Sequence, residues 1–322
     1  MDYRLKQGES VPEGTRRMAA EQLDRALEYL GCQDGERDKH VHEARKATKR
    51  LRALVRLVRR DLGDEVYALE NQCYRAAGQR LSGLRDATVL VETLDRLVES
   101  LGEDVPKSRF ARVRVWLVER RDRVYSQVDS SNRAVQEAIA ALAQARERLE
   151  HWNLQRRGWG AIRAGVQRIY ARGRRDFAAA YALPSDEAFH DWRKQVKYLW
   201  YHAQILENIW PSVMRAQAAE LDQLGELLGW DHDLAVLRTT VLTEFPRAGT
   251  TATLRTLERR IDEVRSQMQG RARLLAERIY LERSREFTRR LGGYWRVWQA
   301  EQSAGQELDS AHRPRTARML KE

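Results

Sequence analysis

Apolar residues return every three or four positions along most of this chain, and strand-like alternation is nowhere sustained. The spacing predicts helices over about 12–30, 39–62, 64–82, 86–101 and 107–151. The same order follows over about 159–182, 186–209, 212–228, 233–244 and 251–301. Pro12, Pro106, Pro184, Pro211 and Pro246 fall beside expected helix starts, where a missing N–H costs little. The expected fold class is all-α, with two pseudo-symmetric helical bundles over 10–152 and 156–301 forming one basic domain and 303–322 as a flexible tail.

The two halves echo each other in sequence. His42-Glu43-Ala44-Arg45-Lys46-Ala47-Thr48-Lys49 is matched by His190-Asp191-Trp192-Arg193-Lys194-Gln195-Val196-Lys197, at an offset of 148 residues. Arg85-Asp86-Ala87-Thr88-Val89-Leu90 is matched by His232-Asp233-Leu234-Ala235-Val236-Leu237, at 147. Two motifs at nearly one offset point to a duplicated unit.

On a helical wheel His42, Arg45, Lys46, Lys49, Arg56 and Arg60 lie within roughly 60° of one line. Ala44, Ala47, Leu51, Leu54, Val55, Val58 and Leu62 form the opposite, apolar side, whose burial would fix where the basic face points. The second copy aligns His190, Arg193, Lys194 and Lys197 in the same way, with Trp192, Leu199, Ala203 and Leu206 on its apolar side. Like charges three and four residues apart destabilise a helix by roughly 0.2–0.5 kcal/mol per pair, a repulsion that a bound anion would relieve. Arg can grip phosphate oxygens in bidentate fashion, Lys supplies a mobile point charge, and His donates from a ring N–H. Asp86 and Asp233 are expected at turns into the next helices, as N-caps or as bridges to the stripes.

Charge widens the case. Lys and Arg number 58 against 47 Asp and Glu, a net charge of +11, which calls for a polyanionic partner or an anionic surface. Nine Trp and eleven Tyr supply too much apolar material for a disordered basic tail. Cys32 and Cys73 stand far apart, so neither a disulfide framework nor a zinc site is indicated, and both read as reduced packing residues. No uncharged apolar run approaches the roughly 20 residues of a membrane span, and a cytoplasmic protein is expected.

Three functional readings compete with a bland one, in which Glu43, Glu65 and Glu70 merely balance a solvated basic face. A polyanion binder would use both stripes together, without metal or other cofactor. An RNA- or DNA-binding protein would add base stacking on Tyr198, Trp200 or Tyr201, aromatics that the first stripe lacks. A metal-dependent phosphohydrolase would use His190-Asp191 and His232-Asp233 as ligand pairs, but Arg85 at the matching first-half position is no metal ligand. Neither a Gly-rich phosphate loop nor a nucleophile-and-base arrangement appears, so no catalytic residue is assigned.

His42-x-x-Arg45 with Lys49-Arg50-Leu51-Arg52, His190-x-x-Arg193-Lys194 with Lys197, and Leu228-Gly229-x-x-His232-Asp233-Leu234 together resemble the CHAD family, over about residues 10–300. The resemblance implies two helical bundles whose basic stripes face a central groove or pore that binds inorganic polyphosphate, with members associated with polyphosphate granules in bacteria. Carried over by position, the implied contacts are His42, Arg45, Lys46, Lys49, Arg50, Arg52 and Arg56, then His190, Arg193, Lys194, Lys197 and His232, with Arg85 as the first-half counterpart of His232. Tyr198 opposite Arg50 and Trp200 opposite Arg52 depart from the pattern and imply a weaker grip in the second half. The ExExK strand of the triphosphate-tunnel domain fused to some members does not occur. Arg313, Arg315 and Arg318 of the tail are further cations, either assisting or simply solvated.

Overall fold

Helix starts are written locally. At Ser10 the Glu13 N–H donates to the serine hydroxyl (3.3 Å) and the Ser10 N–H donates to the Glu13 carboxylate (2.9 Å), a reciprocal cap for α1 (Val11–Gly31). Ser185 accepts from the Ala188 N–H at 3.1 Å and starts α9 (Asp186–Ile205). Pro211 opens α10 (Pro211–Glu244), where its missing donor has no partner to lose.

The computed structural model describes residues 2–32, 36–101, 105–129, 133–245 and 251–311, and among them every regular element is helical. The remaining α-helices are α2 (Arg37–Leu57), α3 (Arg59–Leu62), α4 (Asp64–Arg80), α5 (Ser82–Glu99), α6 (Ala111–Asp129), α7 (Arg133–Arg148), α8 (Trp159–Ala182), α11 (Thr251–Ile279) and α12 (Ser284–Ala311). The fold is all-α, as the periodicity requires.

Several boundaries differ from expectation, and the helix expected over 39–62 divides into α2 and α3. The helix expected over 107–151 is two, α6 and α7, and that over 251–301 divides between α11 and α12. Conversely, 212–228 and 233–244 belong to one unbroken α10, which runs straight through Gly229. α12 continues past Ser303 to Ala311, while Arg313, Arg315, Arg318 and Pro246 lie outside the described residues.

Part of the packing in the first half has a counterpart in the second, although that of α4 on α7 has no comparable one among the described residues. α1 packs on α2, α2 on α4 and α5, α5 on α6, and α1 on α7; α8 packs on α9, α9 on α10, α10 on α11, and α8 on α12. The apolar sides expected for α2 and α9 are buried, from Ala44, Leu51 and Leu54 to Trp192 and Leu199. Each buried leucine among them contributes on the order of 1.5–3 kcal/mol, enough to fix the rotation of both helices.

Both cores draw on both halves. The larger joins residues such as Leu23, Leu54, Tyr74 and Leu142 to Ile169, Trp192, Leu221 and Phe287. The smaller unites Leu90, Leu94 and Leu97 of α5 and Val113 and Leu117 of α6 with Leu234, Leu237 and Val241 of α10 and Leu257 and Ile261 of α11.

α8 lies close against the end of α2. A Cβ on Gly165 would stand 2.0 Å from the Leu57 carbonyl oxygen, so only glycine permits this approach. α2 and α9 meet through buried His202, whose Nε2 lies 3.0 Å from the Ala53 carbonyl oxygen. Burial pushes the His202 imidazole down to about 4, so it is a neutral core group. Cys73 is half-buried, but Cys32 is exposed at the end of α1, which corrects its reading as a packing residue. No helix among the described residues is long and apolar enough to cross a membrane.

Candidate functional site

Because α2 and α9 bury their apolar sides, their basic faces turn the other way and come together. The centre of the site is four cations, Arg45 and Lys49 from α2 and Arg193 and Lys197 from α9. Lys49 is open to solvent, yet protein surrounds it on most sides, as at the floor of a recess. Burial, followed by the charges of Arg193, Arg45 and Lys197, pushes its ammonium down to about 8, against the opposing pull of Asp86. Arg193 and Lys197 of α9 lie close enough to act on Lys49 of α2, where the two helices pack together.

The neighbouring groups hold these cations in place. Arg45 donates to the Gly78 carbonyl at 2.8 Å and lies 3.7 Å from the Asp86 carboxylate. Lys197 Nζ lies 3.3 Å from Glu226 and 3.6 Å from Asp222, and 4.9 Å from the centre of the Trp200 ring. Glycines make the room. A Cβ on Gly78 would lie 3.1 Å from Thr48 Oγ1, and one on Gly225 would lie 2.9 Å from Lys197 Cε.

A histidine pair adjoins this centre. The His190 and His232 rings stack with centroids 4.8 Å apart, bringing α9 and α10 into contact. Among the described residues, neither the buried His190 Nδ1 nor the buried Arg193 Nε has a hydrogen-bond partner. Burial, then His232, Lys194 and Arg193, push the His190 imidazole down to about 4, with Asp191 opposing. His232 Nδ1 lies 3.1 Å from Asp233 Oδ1. In the first half His42 is exposed, and the Arg85 side chain lies outside the described residues.

The rest of the expected stripe is dispersed. Arg52 and Arg56 both donate to Asn71, and their guanidinium groups lie 5.9 and 4.3 Å from the Tyr198 ring centroid. Burial above all lowers the Arg56 pKa from its usual value. Arg50 turns toward α1, donating to Gln22 at 3.3 Å with its guanidinium over Tyr3. Lys46 pairs with Glu43 at 3.5 Å, and Lys194 pairs with Asp191.

One expectation needs correction. Asp86 and Asp233 lie within α5 and α10, not at turns, and cap neither helix; of the two roles expected, Asp86 takes that of a bridge to Arg45. Tyr198 and Trp200, which stand opposite Arg50 and Arg52, carry cations of both helices on their faces, a favourable use of the ring quadrupole. Sequence reasoning missed Asp222, Glu226 and the two glycines, although Gly78 and Gly225 stand at the same 147-residue offset as Asp86 and Asp233.

Among the described residues no three His, Cys, Asp or Glu side chains form a group that could hold a metal ion. No curated protein matches the chain. The family model of the CHAD domain matches residues 17–242, ending before α11 and α12. That match covers more than two thirds of the sequence and includes both basic helices, and the chain belongs to the CHAD-domain family.

Proposed function

We propose that this protein binds inorganic polyphosphate in the recess between α2 and α9, with Arg45, Lys49, Arg193 and Lys197 as the central contacts. The observation that carries the reading is the meeting of four cations from the two halves at one solvent-open place, with one lysine held near 8 by burial and then by its cationic neighbours. Such an arrangement is unfavourable when empty and favourable around a chain of anionic oxygens. The CHAD-domain family is known to bind polyphosphate. Contacts from two half-sites on one long ligand add by avidity, so no single contact has to be strong.

Polyphosphate suits the recess better than nucleic acid. Tyr198 and Tyr201 are buried, Arg56 covers Tyr198, and Lys197 lies over Trp200, so the aromatic faces that would stack on bases are already occupied. The same reading makes the chain a binder and not an enzyme, because the recess is lined chiefly by permanent cations. Association with polyphosphate granules belongs to this reading too.

The test is competition at about 150 mM salt, where nonspecific contacts are screened. Labelled long-chain polyphosphate bound to the protein is challenged with phosphate-matched single-stranded RNA and duplex DNA. Retention of polyphosphate, and its loss from the Arg45→Glu/Arg193→Glu variant with helicity and melting nearly unchanged, is the expected result. Equal displacement by RNA or DNA, or intact affinity in the variant, overturns the proposal.

A further inference from the structure

The two halves part company just beyond the central cations. At the 148-residue offset that relates His42 to His190, Arg56 is replaced by Gln204 and Arg59 by Glu207. In the opposite sense, Arg168 and Arg172 of α8 correspond to Ala20 and Asp24 of α1. The counterpart positions Ala20, Asp24, Gln204 and Glu207 carry no cation, and the two carboxylates among them hold nearby arginines in ion pairs. Asp24 accepts from Arg146 at 2.8 Å, and Glu207 accepts from Arg4 at 2.6 Å and Arg215 at 2.8 Å.

The C-terminal end of α2, by contrast, is strongly basic. Gly165 presses α8 onto the Leu57 backbone, and Arg168 and Arg172, three and seven residues further on, share that face of the helix. α8 also packs on α3, which carries Arg59. Arg59 donates to Asp64 at 2.8 Å and lies over the Tyr67 ring. Neither Arg168 nor Arg172 forms an ion pair among the described residues; Arg168 is half-buried and Arg172 exposed. Burial, then Arg59 and Arg172, lower the Arg168 pKa, and Arg56 also feels Arg172. These arginines form a cationic group continuous with the end of α2.

We propose that a bound polyanion leaves the recess at one end only, over the C-terminal end of α2 and onto α8, where Arg168 and Arg172 with Arg56 and Arg59 grip a further run of phosphates. The inference rests on the polyphosphate reading above and adds a direction and a second subsite to it. The second subsite engages long chains and leaves short ones untouched, because a short ligand is satisfied by the central cations.

The full-length protein is titrated with tripolyphosphate and with long-chain polyphosphate across a salt series. Arg168→Gln/Arg172→Gln is compared with Arg285→Gln/Arg289→Gln, which removes the same charge from exposed positions of α12. The first variant is expected to lose at least about tenfold more long-chain affinity than the second at low salt. Its log K against log salt slope falls by about 1.4, two contacts at roughly 0.7 each. Its tripolyphosphate affinity matches the control variant. Arg172→Gln alone, at an exposed position where folding is not at issue, shows about half that change in slope. Long-chain affinity that tracks the control overturns the extension, and so does an equal loss for both ligands. Both results leave the central site standing, whereas wild-type protein that binds neither ligand overturns the polyphosphate reading itself.

Discussion

Lys49 gives polyanion binding a measurable proton linkage. In the free protein its ammonium is pushed down to about 8 by burial and by Arg193, Arg45 and Lys197. Phosphate oxygens placed among these cations oppose that shift and return the amine toward its ordinary value near 10.4. Below pH 8 both free and bound forms carry the proton, so affinity does not depend on Lys49 titration. Above pH 8 the free protein loses the proton that the complex keeps, and affinity falls as pH rises, by up to one log unit per pH unit. At pH 9 the expected loss relative to pH 7 is about tenfold, an upper bound that salt screening at this solvent-open site reduces. Calorimetric titration at pH 9 in two buffers of different ionisation enthalpy measures the proton uptake directly, and it should approach one proton per site. Lys49→Arg keeps its charge throughout this window, so it should bind without the alkaline decline or the proton uptake. A flat profile in the wild type, or a decline that persists in Lys49→Arg, refutes the placement of Lys49 among the binding cations.

Three further outcomes follow from the same geometry. His190 is pushed down to about 4 when the site is empty, and a bound anion raises it, so polyphosphate affinity should climb as pH falls from neutrality and level off below about 4; His190→Gln should abolish the climb in a fluorescence titration. Asp222 and Glu226 compete with the ligand for Lys197, so Asp222→Asn/Glu226→Gln should tighten binding by up to about fivefold at low salt, in line with the roughly 0.2–1 kcal/mol of exposed ion pairs. Asp231 is buried and accepts from Arg265 at 2.9 Å and Gln269 at 2.8 Å, so Arg265→Met should cost about 3–5 kcal/mol in chemical denaturation by stranding the carboxylate; a loss below about 1 kcal/mol contradicts that account.

The helical class and the rotation of α2 were legible because a band such as Ala44, Ala47, Leu51 and Leu54 has one burial solution. What failed was local punctuation. Gly229 reads as a break at its usual cost of about 1 kcal/mol within a helix, yet α10 runs through it, held on either side by the buried Leu227, Leu228 and Trp230. The stacking of His190 on His232 was not legible, since it depends on how α9 packs against α10 and not on either helix alone. Arg168 and Arg172 escaped for the opposite reason. The reading followed what the halves share, and these residues matter because their counterparts are Ala20 and Asp24.

The interleaved smaller core has a consequence for how the chain is made. Leu90, Leu94 and Leu97 of α5 find part of their cover in Leu234, Leu237 and Val241 of α10, well over a hundred residues later in synthesis. At about 5–20 residues per second, the nascent first half waits on the order of 7–30 s with that surface only partly covered. A ribosome stalled between α6 and α10 therefore carries a sticky, unfinished face, and such a nascent chain should be a chaperone client until α10 emerges.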